Sequence, residues 1–347
     1  MTGDLMQLAR VHGPGDVRLD DVPIPQPGAG EAIVRVAACG ICGSDLGFIA
    51  QGGMGGGEPL AEPLPIGHEF AGEVVAVGPG VEGVAPGLRV AVNPDDGYIG
   101  GGGPEGAMAP YIRITGAKVG ETLFPLADHV DYAEAALAEP LSVGLHALRI
   151  LDVQAHHKVA VLGAGPIGLC TVAMLRHLGC RDIAIFDRVE SRLERARALG
   201  AGLAVNVAEE SLPDALARYH GEGVRFGTRF AETDMFIDCA GSEAAFKDVI
   251  AIAKYRARIA IVALYKKPAA VDLWKMMANE ILVTGSIAVD RKAEFAEALT
   301  MVAKGEQDLS PLISHHMDFA RFNEALDLAA NSDLSAKVML TFPETAA

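Results

Sequence analysis

The sequence predicts an α/β protein of two parts: a β-rich, barrel-like domain and a doubly wound parallel sheet of six strands. Three observations predict it. After Lys158, six short β-branched runs alternate with helical stretches. A glycine-rich turn follows the first of these runs, and up to about Thr115 short apolar runs are split by Gly and Pro. The 347 residues exceed the usual span of one hydrophobic core, and the 50% that are hydrophobic suffice to fill two.

Taken in order, residues 31–37, 71–77 and 88–92 read as strands of the first domain. Residues 123–149 turn helical, with apolar positions three and four apart in AEAALAEPLSVGLHALRI. The runs VAVLG, DIAIFD, LAVNV, DMFIDCAG, RIAIVAL and EILVTGSI follow. Such nearly continuous apolar strands require cover on both faces, which is the condition of a parallel sheet. From about Asp290, two amphipathic helices and a closing strand, AKVMLTF, are expected to return to the first domain. Residues 1–148 and 290–347 are thus assigned to one domain and 149–289 to the other. The glycine clusters at 52–57 and 100–103 are expected to be mobile loops.

The formal charge of −16 is spread along the chain without a basic block. That argues against nucleic acid or an anionic membrane and for a small-molecule partner. Asp4, Arg10 and Asp16 interrupt the N-terminal stretch as a secretory signal would not allow. Residues 159–175 are uncharged over about the minimum membrane-spanning length, but Gly163, Gly165, Pro166 and Gly168 break the run as a strand, turn and helix would. Five cysteines, an odd number with wide spacing, suit reduced thiols, so a cytoplasmic location is expected.

In VAVLGAGPIG, Gly163 permits a tight turn, Gly165 a close approach of backbone to a pyrophosphate, and Gly168 close helix–strand packing. The helix opened by Pro166 and Ile167 offers free N–H groups and a partial positive charge. Asp187, about twenty residues further on, can accept from ribose hydroxyls and would repel a phosphate, which favours NAD over NADP. Arg188 and Arg192 lie near enough for some charge compensation; Arg192 reads equally as an adenosine contact or a solvated helix residue. A glycine-rich turn that binds nothing is the bland alternative, and strand, loop, helix and acid in series outweigh it.

ACGICGSDL places Cys39 and Cys42 two residues apart, with no second such pair to complete a zinc ribbon. His68, Glu69 and Glu139 follow. Taken singly, these are an interior histidine, a carboxylate beside a turn and a helix residue next to Pro140. Together, thiolate, imidazole and carboxylate suit zinc, and three protein ligands with an open position make a catalytic site.

GICGSDL, GHEFAG, EPLSVGLHA and GAGPIG, in this order, resemble the zinc-containing medium-chain alcohol dehydrogenases end to end. EPLSVGLHALR is most similar to the branch of sorbitol, butanediol and idonate dehydrogenases, in which a glutamate replaces a cysteine near zinc. The resemblance implies a GroES-like catalytic domain, a Rossmann NAD-binding domain, and reversible oxidation of a secondary alcohol, diol or polyol to the ketone by hydride transfer. It implies Cys42, His68 and Glu69 as zinc ligands, with Glu139 binding directly or through water. Ser44 matches the hydroxyl that passes the alcohol proton, and Asp45 the carboxylate that orients His68. Cys39 matches a non-ligand position, and His146, His315 and His316 are left as structural. A homodimer or homotetramer formed partly through residues 280–287 is also implied.

Two departures stand out. Residues 93–114 carry none of the four cysteines that hold a structural zinc in most of the family, so one zinc is expected. Gly47 occupies the position of the distal relay histidine, so protons leave through water or a cofactor hydroxyl. Zinc lowers the pKa of water from about 16 to about 7, worth ~12 kcal/mol, against roughly 3 to 5 kcal/mol for one general base. The metal dominates, and loss of a relay member slows the reaction without abolishing it. Polyol-specific relatives carry arginine and an aromatic residue where this chain has Ala288 and Val289, and Phe48 stands where tyrosine is common. These positions make a less polar secondary alcohol at least as plausible as a sugar alcohol. A threonine or amino-alcohol dehydrogenase, and an inactive nucleotide-sensing protein on the same fold, are the alternatives; intact Cys42, Ser44, His68 and Glu69 speak against the inactive form.

Overall fold

The computed structural model describes residues 4–55 and 60–343. Gly56 and Gly57, part of the expected mobile loop, lie outside the described residues. Among those described, no helix is long and apolar enough to cross a membrane.

All six runs after Lys158 form one parallel sheet: Leu203–Asn206, Ile183–Asp187, Val159–Leu162, Met235–Asp238, Arg258–Ile261 and Leu282–Gly285, in that spatial order. The chain starts in the middle and winds outward in both directions. A crevice therefore opens at the carboxyl ends of Val159–Leu162 and Met235–Asp238, where the order reverses. A hairpin of Glu222–Arg225 and Thr228–Ala231 is an addition that the sequence pattern did not announce. Its half-exposed residues alternate too weakly to stand out.

The first domain is built on a sheet running Ile313–Asp318, Lys337–Thr341, Ala32–Gly40, Glu69–Val77, Arg89–Val92 and Leu123–Pro125, with Tyr111–Ile114 also paired to Ala32–Gly40. Asp16–Pro23, Leu5–Gly13 and Leu64–Pro65 form a smaller sheet beside it. The closing strand does return: Met339, Leu340 and Thr341 pair antiparallel with Gly40, Cys39 and Ala38. Ile313–Asp318, with its two histidines, lacked an apolar run, yet it pairs in parallel with the closing strand.

Residues 123–149 resolve into a short strand and two helices, Tyr132–Ala136 and Ala138–Ile150. The longer helix buries Leu141, Leu145 and Leu148 in a core shared by Ala71, Ala91 and Phe124 of one sheet and Val159, Val161 and Ile183 of the other. Helix Lys292–Lys304 adds Phe295, Ala298 and Leu299 to the same core. The two sheets are thus welded through helices, which holds any group in the crevice at a defined position relative to both.

The glycine cluster at 100–103 differs from expectation. Gly100 donates to Glu105 O at 2.8 Å, and Gly101 and Gly103 both donate to Tyr98 O at 2.9 Å. Backbone hydrogen bonds within the segment make it a defined turn instead of a loose loop.

Candidate functional site

Strand Ala32–Gly40 delivers the chain to Cys42, the N-cap of helix Gly43–Gln51. Asp45, in the first turn and fully buried, accepts from Cys42 N at 2.9 Å with one oxygen and from Gly67 N at 3.0 Å with the other. One carboxylate therefore fixes the cysteine and the residue before His68 in a single frame, while the helix N-terminus directs partial positive charge at the sulfur. His68 Nδ1 stands 3.6 Å from Asp45. Burial disfavours its protonation, but the charges of Asp45 and Cys42 outweigh that and raise its pKa well above the ordinary value.

Glu69 begins strand Glu69–Val77 opposite Gly40. Ligand atoms of Cys42, His68 and Glu69 all lie within 4.8 Å of one another. Among the described residues His68 Nδ1, which faces Asp45, has no hydrogen-bond partner, and Glu69 Oε2 has none beyond its ion pair with the Lys337 ammonium at 2.6 Å. Cys42, His68 and Glu69 thus present three converging donor atoms that one cation would satisfy together. Sulfur, imidazole and carboxylate are the donor set of zinc. The residues present fit the ion that the sequence implied.

Glu139, expected as a further ligand, stands outside this group. It is buried, and its Oε1 accepts from Arg291 Nη2 at 2.5 Å. Lys337 was not anticipated: its ammonium lies 2.6 Å from Glu69 and 3.1 Å from Ile41 O, in a wholly buried setting. Burial opposes its charge, but Glu69 prevails and raises its pKa. A Cβ on Gly40 would fall 2.1 Å from Glu69 Oε2, so glycine at this strand end is what makes room for the pair. The signal for Lys337 was a lone charge opening an apolar strand; Arg291, in a run of charged residues, offered none.

Ser44 is half-buried on the same first turn as Asp45. Phe48 packs partly buried against the core of the first domain. Of the other two expected pocket residues, Ala288 is buried with φ +54°, whereas Val289 is 57% exposed on this chain. Cys39 is fully buried, and burial pushes its thiol pKa well up.

In the crevice, Gly163 takes φ +88°, and a Cβ on Gly168 would meet Gly163 O at 1.8 Å. Gly165 is the N-cap of helix Pro166–His177, with Pro166 at its start followed by Ile167. The nearest atom to a Cβ on Gly165 is Arg192 Nη1 at 3.8 Å, so the space before the helix N-terminus is open. Asp187 closes the second strand; it accepts from Ala164 N at 2.6 Å and from Arg188 N and Val189 N at 2.6 and 2.9 Å. Arg192 is not simply solvated: Nε and Nη2 donate to Ser335 O at 3.0 and 2.8 Å, across to the segment that leads into Lys337.

Residues 28–122 match the alcohol dehydrogenase GroES-like domain, and residues 166–304 the zinc-binding dehydrogenase family. Human sorbitol dehydrogenase is 30% identical over 345 residues, spanning 95% of this chain and 94% of that protein. The chain belongs to the zinc-dependent medium-chain alcohol dehydrogenase family. Within it, (R,R)-butanediol dehydrogenase of Neisseria gonorrhoeae is also 30% identical, over 96% of this chain and 99% of its own length. An alcohol dehydrogenase of E. coli CFT073 solved with NADH superimposes with a TM-score of 0.83 at 26% identity, covering 98% of this chain and all of that one. This medium-chain dehydrogenase is accordingly an oxidoreductase, with the family's mixed and parallel sheets both in place.

Proposed function

We propose that this dehydrogenase interconverts a secondary alcohol, diol or polyol and its ketone, using one zinc ion and NAD. The observation that carries the reading is the convergence of Cys42, His68 and Glu69 donor atoms within 4.8 Å. Relatives that act on sorbitol and (R,R)-butanediol support the substrate class.

Zinc supplies Lewis acidity toward the reacting oxygen, and NAD the hydride acceptor. Cys42, His68 and Glu69 hold the ion and leave a fourth position open to substrate. Asp45 orients His68 and the Cys42 backbone. Of the two roles open to Glu139, action through water fits its engagement by Arg291. Ser44 takes the hydroxyl proton. Among the described residues nothing lies within 4 Å of a Cβ at Gly47, which leaves room for water to carry that proton outward in place of a relay side chain. Gly163, Gly165 and Gly168, with the N–H groups near Pro166 and Ile167, cradle the pyrophosphate; Asp187 takes the ribose and disfavours NADP.

Helix Leu273–Ala278 has no buried residue, and Leu273, Trp274, Met277, Leu282 and Ile287 are exposed around the edge strand Leu282–Gly285. An open, apolar sheet edge is a pairing surface, and we assign it to a second copy of the chain in a homodimer or homotetramer. Five free cysteines suit a reducing, cytoplasmic setting.

The test measures zinc content and NADH absorbance on one sample across secondary alcohols, diols, polyols and hydroxy-amino acids. Turnover with about one zinc per chain, lost together with the metal in Cys42→Ala, is expected. A zinc-loaded, cofactor-binding protein that changes no NADH absorbance with any of them overturns the proposal.

A further inference from the structure

Arg291 is a buried cation with an unused donor. Its Nη2 serves both Glu139 Oε1, at 2.5 Å, and Asp95 Oδ1, at 3.1 Å, and its backbone N–H reaches Asp95 Oδ2 at 3.2 Å. A guanidinium usually meets carboxylates with two N–H groups side by side. Here both acids crowd one nitrogen, and among the described residues Nε is left buried without a partner. The two segments that meet at this pair each carry another such atom, Asn93 Nδ2 and Ser286 Oγ. The unpartnered Nε lies where residues 93–95 meet residues 286–291, and it marks that seam as a place where a polar ligand belongs.

Its location ties the seam to the reaction site. Arg291 follows the strap of Ala288 and Val289, is joined to Glu139, and is close enough to Cys42 for that residue to help hold its charge. Two carboxylates against one guanidinium leave the seam formally negative. It therefore suits a neutral oxygen that accepts from Nε and donates to an acid, which is a hydroxyl and not a carboxylate.

Resting on the dehydrogenase reading, we propose that Arg291 is a specificity-determining residue that receives the second hydroxyl of a vicinal diol or polyol, with Glu139 accepting a hydrogen bond from that hydroxyl. Ala288 and Val289 withdraw polar side chains from the pocket; Arg291 restores one from three residues further on. The substrate is then a diol or polyol instead of a simple secondary alcohol.

The test compares 2,3-butanediol with 2-butanol, which share a skeleton and differ by one hydroxyl. NAD-linked kcat/KM and calorimetric binding are measured on the zinc-loaded wild type, Arg291→Lys and the isosteric Glu139→Gln. Lysine keeps the charge beside the acids but lacks Nε. The wild type should favour the diol, and the diol-to-alcohol ratio of kcat/KM should fall roughly 10- to 100-fold in each variant, mainly through KM. An unchanged ratio in a variant that folds and retains zinc overturns the inference, as does a wild type indifferent to the second hydroxyl; turnover of both alcohols would leave the dehydrogenase reading standing. Conversely, Arg291-dependent binding of the diol with no turnover of either alcohol would support the inference and sink that reading.

Discussion

Lys337 places its ammonium 2.6 Å from the carboxylate of Glu69, and both side chains are buried. Removing one member of such a pair leaves an uncompensated charge, at about 3–5 kcal/mol. Lys337→Met should therefore lower the stability of the metal-free protein by that order. Added zinc should recover part of the loss, because a cation beside Glu69 replaces the missing ammonium. Melting temperatures with chelator and with zinc check this; equal losses in both would show that Glu69 does not face the metal.

Gly40→Ala puts a methyl group 2.1 Å from the Glu69 carboxylate. Glu69 must turn aside, so the expected result is a folded protein that retains much less than one zinc per chain. Circular dichroism and metal analysis on the same preparation read the two effects separately.

Asp45 accepts from two backbone N–H groups on its two oxygens. Asp45→Asn keeps the shape but turns one acceptor into a donor, so either Cys42 N or Gly67 N faces an N–H group. Zinc affinity should fall about 10- to 100-fold, measured by competition with a chromophoric chelator. An unchanged affinity would remove Asp45 from the site's supporting frame.

Under the proposed reading, Asp187 sets the choice of cofactor. The wild type should use NAD far better than NADP, and Asp187→Ser should narrow that ratio of kcat/KM while weakening NAD, because the carboxylate also holds Ala164 N at the glycine turn. A wild type that prefers NADP would contradict the assignment.

His220, buried against the parallel sheet, sets an acid limit. Its Nδ1 lies 2.8 Å from the Thr233 hydroxyl, and Nε2 3.3 Å from Asp182 O, which can only accept. Burial lowers its pKa from 6.5 to about 4, so at neutral pH the ring is uncharged, and the carbonyl of Asp182 then holds its one proton on Nε2. The unfolded chain takes up this proton near pH 6.5 and the folded one does not. Stability is therefore complete above about 6.5 and falls as the pH drops toward 4, by up to about 3 kcal/mol. Urea midpoints across this window should slope less in His220→Gln than in the wild type; parallel slopes would refute the assignment.

Local pattern revealed most of the scaffold. The six parallel strands, the glycine cradle before Pro166, the acid at Asp187 and the return of AKVMLTF all follow from side-chain periodicity and turn chemistry within a few residues. Cys42 and His68 were visible through residue type and the resemblance of GICGSDL and GHEFAG to a known family. The hairpin Glu222–Ala231 was not, because its short, half-exposed strands carry no apolar run, and the strand Ile313–Asp318 was not, because its polar residues pair with a strand more than twenty residues further on.

What the amino-acid order determined by itself was which elements form and which chemical groups they carry. Tertiary structure alone decided how the charges are shared. Lys337 reaches Glu69 across 268 residues and Arg291 reaches Glu139 across 152. A buried ion needs a counter-ion within a few ångströms whatever its distance in sequence, and only the folded sheets and their shared helices bring these partners together.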